Sequence, residues 1–302
     1  MHSMNAVQVS AEVAAALGQR RAVVALESTI LAHGMPYPRN LEVARAVEAD
    51  VRAAGAIPAT IAVLDGTIRI GLNAGELERI ATSGDVLKLS RADLAFALAT
   101  RRDGATTVAA TMLCAHRAGI AVFATGGIGG VHRGAEESMD VSADLTELSR
   151  TPVVVVCAGA KAILDLPKTL EVLETLGVAT IVYGSDEFPA FWSRSSGLPA
   201  PHRLDDVANI AAVFKSARDL GIESGMLVAN PIDAQAAIPS ELMSRIIEAS
   251  VSVARSEGIT GKALTPWLLD RIFHLTQGRS LEANIALVRS NARLAAAIAQ
   301  AL

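Results

Sequence analysis

Lys161 stands just past a five-residue apolar run, Val153-Val154-Val155-Val156-Cys157, in the stretch Cys157-Ala158-Gly159-Ala160-Lys161. Such a run, flanked by Pro152 and small residues, reads as a strand buried on both faces of a parallel sheet. Asp165 and Pro167 then open a helix that Gly177 closes. The lysine therefore falls outside the carboxyl end of a strand, where ligands bind in open α/β sheets. Desolvation beside an apolar strand and the positive end of a helix both favour the neutral amine. That form attacks carbonyl carbon to make a Schiff base. A solvated surface lysine is the alternative, and scarcity weighs against it. Only five lysines occur, Lys88, Lys161, Lys168, Lys215 and Lys262, and Lys88 and Lys161 sit in or beside apolar strands.

Further candidates surround other strand ends. Glu27 ends the apolar Ala22 to Leu26 run, where a carboxylate is costly unless it faces a polar cleft; there it suits proton donation, although bonding to loop amides is an equally plain role. His33 follows in the same loop as a substrate contact or a structural histidine. Gly126 to Leu145 reads GGIGGVHRGAEESMDVSADL. Its glycines match neither a Walker pattern nor G-x-G-x-x-G. Glu136, Glu137, Asp140 and Asp144 lie within nine residues there, an acidic run that suits either a hard divalent cation or solvent. Thr106 and Thr107 at a helix start offer an anion site or a routine N-cap. Asn284, on a largely apolar helix, could read a base edge or satisfy a backbone group.

The elements that must hold these residues alternate between strand and helix periodicity, which predicts a layered α/β/α core with a mixed, mostly parallel sheet. Strands are expected at Ala22 to Leu26, Val86 to Leu89, Ile120 to Ala124 and Val178 to Tyr183. Asp65-Gly66 between Ala59 to Leu64 and Thr67 to Leu72 is a hairpin signal. Helices are expected over about Pro38 to Ala54 and Thr107 to Ala118, with a short amphipathic one at Val9 to Leu17. The lysine segment and Val178 to Tyr183 should form a right-handed strand–helix–strand unit. After Gly184 the chain reads as loop, then as a helical C-terminal third: Asp205–Leu220, Pro239–Glu257, Thr265–Thr276 and Leu281–Leu302. No repeat or linker divides it, so one domain spans 1–302.

Composition narrows the function classes. The chain has 302 residues, 51% hydrophobic but only 3% aromatic, so the core should be aliphatic. A net charge of -4 with interspersed signs gives no basic footprint for duplex nucleic acid. No apolar run approaches a membrane span, and Met1 to Arg20 lacks a cleavable leader pattern. Cys114 and Cys157 sit in apolar surroundings and read as reduced, inert thiols. A soluble cytoplasmic protein is the expectation.

Three long stretches, ALESTILAHGMPYPRN at 25–40, ATGGIGGVHRGAEESMDVSADL at 124–145 and VVVVCAGAKAILD at 153–165, resemble the pseudouridine-5′-phosphate glycosidase family. The likeness extends from Ala25 to Val288. It implies cleavage of a C–C glycosidic bond to uracil and ribose 5-phosphate, or the reverse condensation, in a homotrimer with one divalent metal, usually manganese, per subunit. It places the imine-forming nucleophile at Lys161, the proton donor at Glu27 and the metal ligand at Asp140. Substrate contacts fall on Lys88, Val108, Ser142, Ala143 and Asp144, with Thr107 and His132 near the phosphate and Asn284 near the uracil.

The residues fit that chemistry independently. A C-glycoside has no leaving-group heteroatom to protonate, so a two-carboxylate scheme serves it poorly. A lysine imine with the opened sugar supplies an electron sink instead. A Schiff-base aldolase on a sugar phosphate would use the same lysine but leaves the acidic loop and Asn284 unexplained. A non-catalytic nucleotide or sugar-phosphate sensor would bind the substrate and release it unchanged.

Overall fold

The computed structural model describes residues 6–259 and 264–302; the first five residues of the leader reading at 1–20 lie outside that description. The described strands are β1 (Val7–Val9), β2 (Val23–Leu26), β3 (Ile57–Leu64), β4 (Thr67–Ile70), β5 (Leu87–Leu89), β6 (Gly104–Thr106), β7 (Val122–Ala124), β8 (Val154–Cys157), β9 (Ala179–Tyr183), β10 (His202–Leu204) and β11 (Met226–Ala229). They join in one sheet whose main path runs β1-β4-β3-β2-β7-β8-β11-β9-β10, with β6 attached to β3 and β5 to β6. Every pairing is parallel except β3 with β4 and with β6. The sheet is therefore mixed and mostly parallel, as the periodicity predicts.

The sheet branches at β3. Its first half, Ile57 to Thr60, pairs with β2, whereas Ile61 to Leu64 pairs with β4. Asp65 and Gly66 turn the chain into β4 with φ of 51° and 74°, the left-handed geometry a two-residue hairpin needs. This branching separates one arm that carries Lys88 on β5 from another that carries β2, β7 and β8.

The helices are α1 (Ala11–Gly18), α2 (Thr29–His33), α3 (Arg39–Ala53), α4 (Ala74–Thr82), α5 (Arg91–Thr100), α6 (Val108–Arg117), α7 (Ala135–Ser138), α8 (Ala143–Leu148), α9 (Leu166–Thr175), α10 (Val207–Asp219), α11 (Ser240–Ser256), α12 (Leu264–Leu275) and α13 (Arg279–Ala301). The core is aliphatic. Val153 to Cys157 are all fully buried, as expected of a strand covered on both faces. No described helix is long and apolar enough to cross a membrane. Both cysteines are free and buried, and burial pushes each thiol up to about 12, which keeps them as inert thiols.

Two expectations change. The chain after Gly184 contains β10 and β11, not only loops and helices. Moreover β9 is not the neighbour of β8, because β11 lies between them. Met226 to Ala229 is four apolar residues long and buried throughout, too short to show a period and on neither face polar. α4 and α5 also went unread, although Asn73 with Glu76 and Ser90 with Asp93 form capping boxes, a pattern visible in sequence.

Candidate active site

β2, β7 and β8 are adjacent and parallel, so their carboxyl ends open on one edge. Each end contributes a polar group. Glu27 follows β2, Thr125 follows β7, and Lys161 follows β8 after the turn at Gly159. The Glu27 carboxylate is half-buried and fully engaged: Oε2 accepts from the Thr29 hydroxyl and Oε1 from the Thr125 hydroxyl. Neither partner is a loop amide, so the plain role considered for this carboxylate is not the one it plays. Thr125 is itself held by Asn291 of α13, whose Nδ2 donates to the Thr125 carbonyl at 2.8 Å. Asn291 accepts in turn from Asn230, just past β11, at 3.0 Å.

The Lys161 backbone is fixed at both ends. Its amide donates to the Ile128 carbonyl at 3.1 Å, and its carbonyl accepts from Leu164 at 3.0 Å. Ile128 belongs to the glycine turn and forms a parallel bridge with Ala160. The turn and the lysine segment thus lie side by side, as the placement of Lys161 at a strand end demands. Lys161 is half-buried.

His132 is the point where the candidates meet. Burial holds its pKa below the ordinary histidine value, the Asp140 charge opposes that shift, and Lys161 and Lys88 reinforce it. The charges of Asp140, Lys161 and Lys88 thus all lie near enough to bear on this ring, each more weakly than burial does. His132 also donates its amide to the Asp140 carbonyl at 3.0 Å, within a hairpin closed by the Val131–Val141 bridge. His33, at the end of α2, is likewise held low, by desolvation first and then by Lys88.

The acidic run does not converge. Glu136 turns outward to Lys168 at 2.7 Å, and Glu137 is exposed. Asp144 turns inward, where Oδ1 accepts from the Ala109 amide at 3.0 Å and Oδ2 from the Gly129 amide at 2.8 Å. Among the described residues no three His, Cys, Asp or Glu side chains group around a metal position. The four-carboxylate expectation fails because two members serve as an ion pair and a helix cap. Asp140, half-buried in the same hairpin as His132, is the one of the four that neither pairs with a lysine, lies exposed nor caps a helix, and it remains the metal candidate.

Asp144 explains two neighbours. Its bond to Ala109 caps α6, so the Thr107 hydroxyl makes no capping bond and is buried without any hydrogen-bond partner. Thr107 thus occupies the N-cap position of α6, while the side-chain part of that role is taken by Asp144. Val108 is the first residue of α6 and is buried. Ser142 caps α8 by accepting from the Asp144 amide at 3.2 Å, with Ala143 beginning that helix. A Cβ on Gly129 would collide with both Ser142 and Asp144, which is why the loop needs glycine there.

Asn284 of α13 accepts from the Trp192 indole at 2.7 Å. Of the two roles considered for Asn284, the backbone one is replaced by this bond to a side chain, which directs the amide nitrogen away from Trp192. Trp192 and Phe191 pack edge to face at 5.1 Å. A cleft of about 520 Å³ lies beside this region, walled by Arg133, Ala162, Asp165, Ser193 and Met243 among others, but neither Lys161 nor Glu27 lines it. Thr29, Thr125, Asn291 and Trp192 escape sequence reasoning. Only Thr125, directly after a strand and before the glycines, carried a signal that could have found it.

The chain matches the model of the indigoidine synthase A like protein family over residues 12–301. It is 64% identical over 298 residues to a pseudouridine-5′-phosphate glycosidase of Paracoccus denitrificans, covering 98% of each chain. A protein of the same name from Caldanaerobacter subterraneus is 57% identical over 293 residues, covering 97% of this chain and 95% of that one. Among solved structures, a prealnumycin C-glycosynthase in complex with ribulose 5-phosphate superposes with a TM-score of 0.92 at 38% identity, over 98% of this chain and 96% of that one. An indigoidine synthase A-like protein of Thermotoga maritima gives 0.89 at 34% identity, over 99% and 97% respectively.

Proposed function

The chain belongs to the indigoidine synthase A like family, among its pseudouridine-5′-phosphate glycosidases, and from that premise we propose that it cleaves the C–C bond of pseudouridine 5′-phosphate to uracil and ribose 5-phosphate. The observation that carries the reading is the placing of Glu27 and Lys161 at the carboxyl ends of β2 and β8, parallel strands one apart in the sheet, with the His132–Asp140 hairpin leading out of the turn that bonds the Lys161 amide. A lysine, an acid–base carboxylate and cationic groups for a phosphate are the three parts such a reaction requires.

The proposed steps follow from these residues. The neutral Lys161 amine bonds to C1′ as the C1′–O4′ bond breaks; the ring oxygen takes a proton and the new ammonium nitrogen gives one up, which frees an electron pair on nitrogen again. The amine electron pair then forms the C1′=N imine while the C1′–C5 pair departs to uracil, whose C5 takes a proton. Water hydrolyses the imine, giving ribose 5-phosphate and restoring Lys161. Glu27, with hydroxyls on both oxygens, is the group that moves a proton in this sequence. Lys88, His132 and the unpartnered Thr107 hydroxyl hold the phosphate, with Val108, Ser142, Ala143 and Asp144 shaping that wall. Asn284 faces the uracil.

Asp140 would hold the divalent cation, manganese by family habit, and when bound the ion would add positive charge beside the sugar phosphate. Three subunits in a cytoplasmic enzyme complete the proposal, with small molecules as its partners and no nucleic acid or membrane. The Schiff-base aldolase reading shares Lys161 but has no use for Asn284. Incubating the purified protein with pseudouridine 5′-phosphate and manganese tests the reading: uracil should accumulate in step with ribose 5-phosphate. Binding without turnover would establish the sensor instead.

A further inference from the structure

The nucleophile and the metal candidate lie on separate pieces of chain, Lys161 in the turn after β8 and Asp140 in the hairpin 131–141. Something must fix the distance between them. One buried hydroxyl spans that gap. Thr169, in the first turns of α9, is fully buried. Its Oγ1 donates to the Asp165 carbonyl at 2.7 Å and accepts the Val131 amide at 3.0 Å.

The first of these bonds is ordinary, since threonines in helices often bond back to the carbonyl four residues earlier. The second is not, because it reaches across to another segment. Asp165 completes the link by donating its own amide to the Val131 carbonyl at 2.9 Å. Both backbone groups of Val131 are therefore held by the start of α9. Val131 precedes His132 directly, and Asp165 follows the lysine by four residues. Gly130 packs so closely on this hydroxyl that a Cβ there would lie 2.5 Å from Thr169 Oγ1.

A second link runs outside. Lys168 bonds Glu136 at 2.7 Å and Asp165 at 3.2 Å, but all three are solvent-accessible. Exposed pairs of this kind contribute little, whereas a buried amide left without a partner is costly. The internal link therefore outweighs the exposed one, and it extends to Val131 and His132 the registration that the Lys161–Ile128 bond and the Ile128–Ala160 bridge set at the start of the loop.

We propose that Thr169 is a positioning residue that sets the Lys161 turn against the His132–Asp140 hairpin, acting through Val131 and Asp165 without touching substrate. The inference rests on Lys161 being the imine-forming nucleophile.

The test compares Thr169→Val, which keeps the shape and removes the hydroxyl, with Thr169→Ser, which restores it, and with Lys168→Ala. The readout is the rate at which borohydride traps ribose 5-phosphate on Lys161, measured per folded molecule well below the melting temperature. Thr169→Val should trap about tenfold more slowly or worse, the rate equivalent of one lost hydrogen bond. Thr169→Ser should recover most of that rate, and Lys168→Ala should stay near the unsubstituted protein. A purely structural role would lower the melting temperature while leaving trapping per folded molecule unchanged, and that result overturns the proposal. If Thr169→Val does not fold, Thr169→Ala removes the same hydroxyl, and an Ala variant as fast as the Ser variant is equally fatal. No adduct in the unsubstituted protein would instead overturn the imine chemistry and this role with it.

Discussion

Asp144 caps the helix that Thr107 begins. The carboxylate bonds the Ala109 amide at 3.0 Å, leaving the Thr107 hydroxyl buried and unpartnered. The two residues therefore answer differently to mutation. Asp144→Ala strands one buried and one half-buried amide and should cost about 2–6 kcal/mol of stability, at 1–3 kcal/mol for each donor left without a partner, seen as a clear fall in melting temperature. Thr107→Val should leave stability almost unchanged while raising KM for the phosphorylated substrate. A Thr107→Val protein that melts early with normal KM would reverse these assignments.

Lys88 sits on β5, in the other arm of the sheet from Lys161, yet both act on His132. Binding energy from the remote phosphate should orient the sugar for reaction. Lys88→Ala is expected to reduce kcat/KM for pseudouridine 5′-phosphate by about 10- to 100-fold, the size of a lost charge-assisted bond. Unphosphorylated pseudouridine should be a poor substrate and lose little further. Equal losses on both substrates would remove Lys88 from the phosphate site.

His132 supplies a pH signature. Its value is depressed, by burial first, against the pull of Asp140, so the folded state prefers the neutral ring. Below about 6.5, the unfolded value, the unfolded chain holds more protons than the native one, and stability must fall with pH. The loss begins near the unfolded value and is complete once pH passes below the folded one. His132→Gln should flatten that slope. In a native-state titration by NMR, His132 should titrate below 6.5, the ordinary histidine value, and lower still in Asp140→Asn. An upward move in that variant would show that Asp140 does not face the ring.

Asp140 gives one carboxylate, so metal affinity should be modest. Chelation is expected to abolish activity without unfolding the protein, manganese should restore it, and Asp140→Ala should resist rescue at ordinary concentrations. Full activity after thorough chelation removes the cation from the account.

Much of this arrangement was legible because it is local. The apolar run before Lys161, the Asp65-Gly66 turn and the mixed sheet follow from short patterns with a direct physical meaning. Glu27 at the end of a strand was equally readable. What was hidden is long-range. β11 inserts between β8 and β9 although four apolar residues announce little. The acidic run looks like a cation site until Asp144 is seen to cap a helix 35 residues away in sequence and Glu136 to pair with Lys168. The hydroxyls of Thr29 and Thr125 on Glu27 depend on strand order, which composition does not encode.

The central claim is the imine at Lys161. Borohydride added during turnover should reduce it to a secondary amine, and mass spectrometry should find a ribose-phosphate adduct on the peptide carrying Lys161, with irreversible loss of activity. Lys161→Arg keeps the charge but stays protonated at neutral pH; it should bind substrate, form no adduct and turn over on the order of 10³-fold more slowly or worse. An adduct on Lys88 instead, or an active Lys161→Arg protein, would contradict the account.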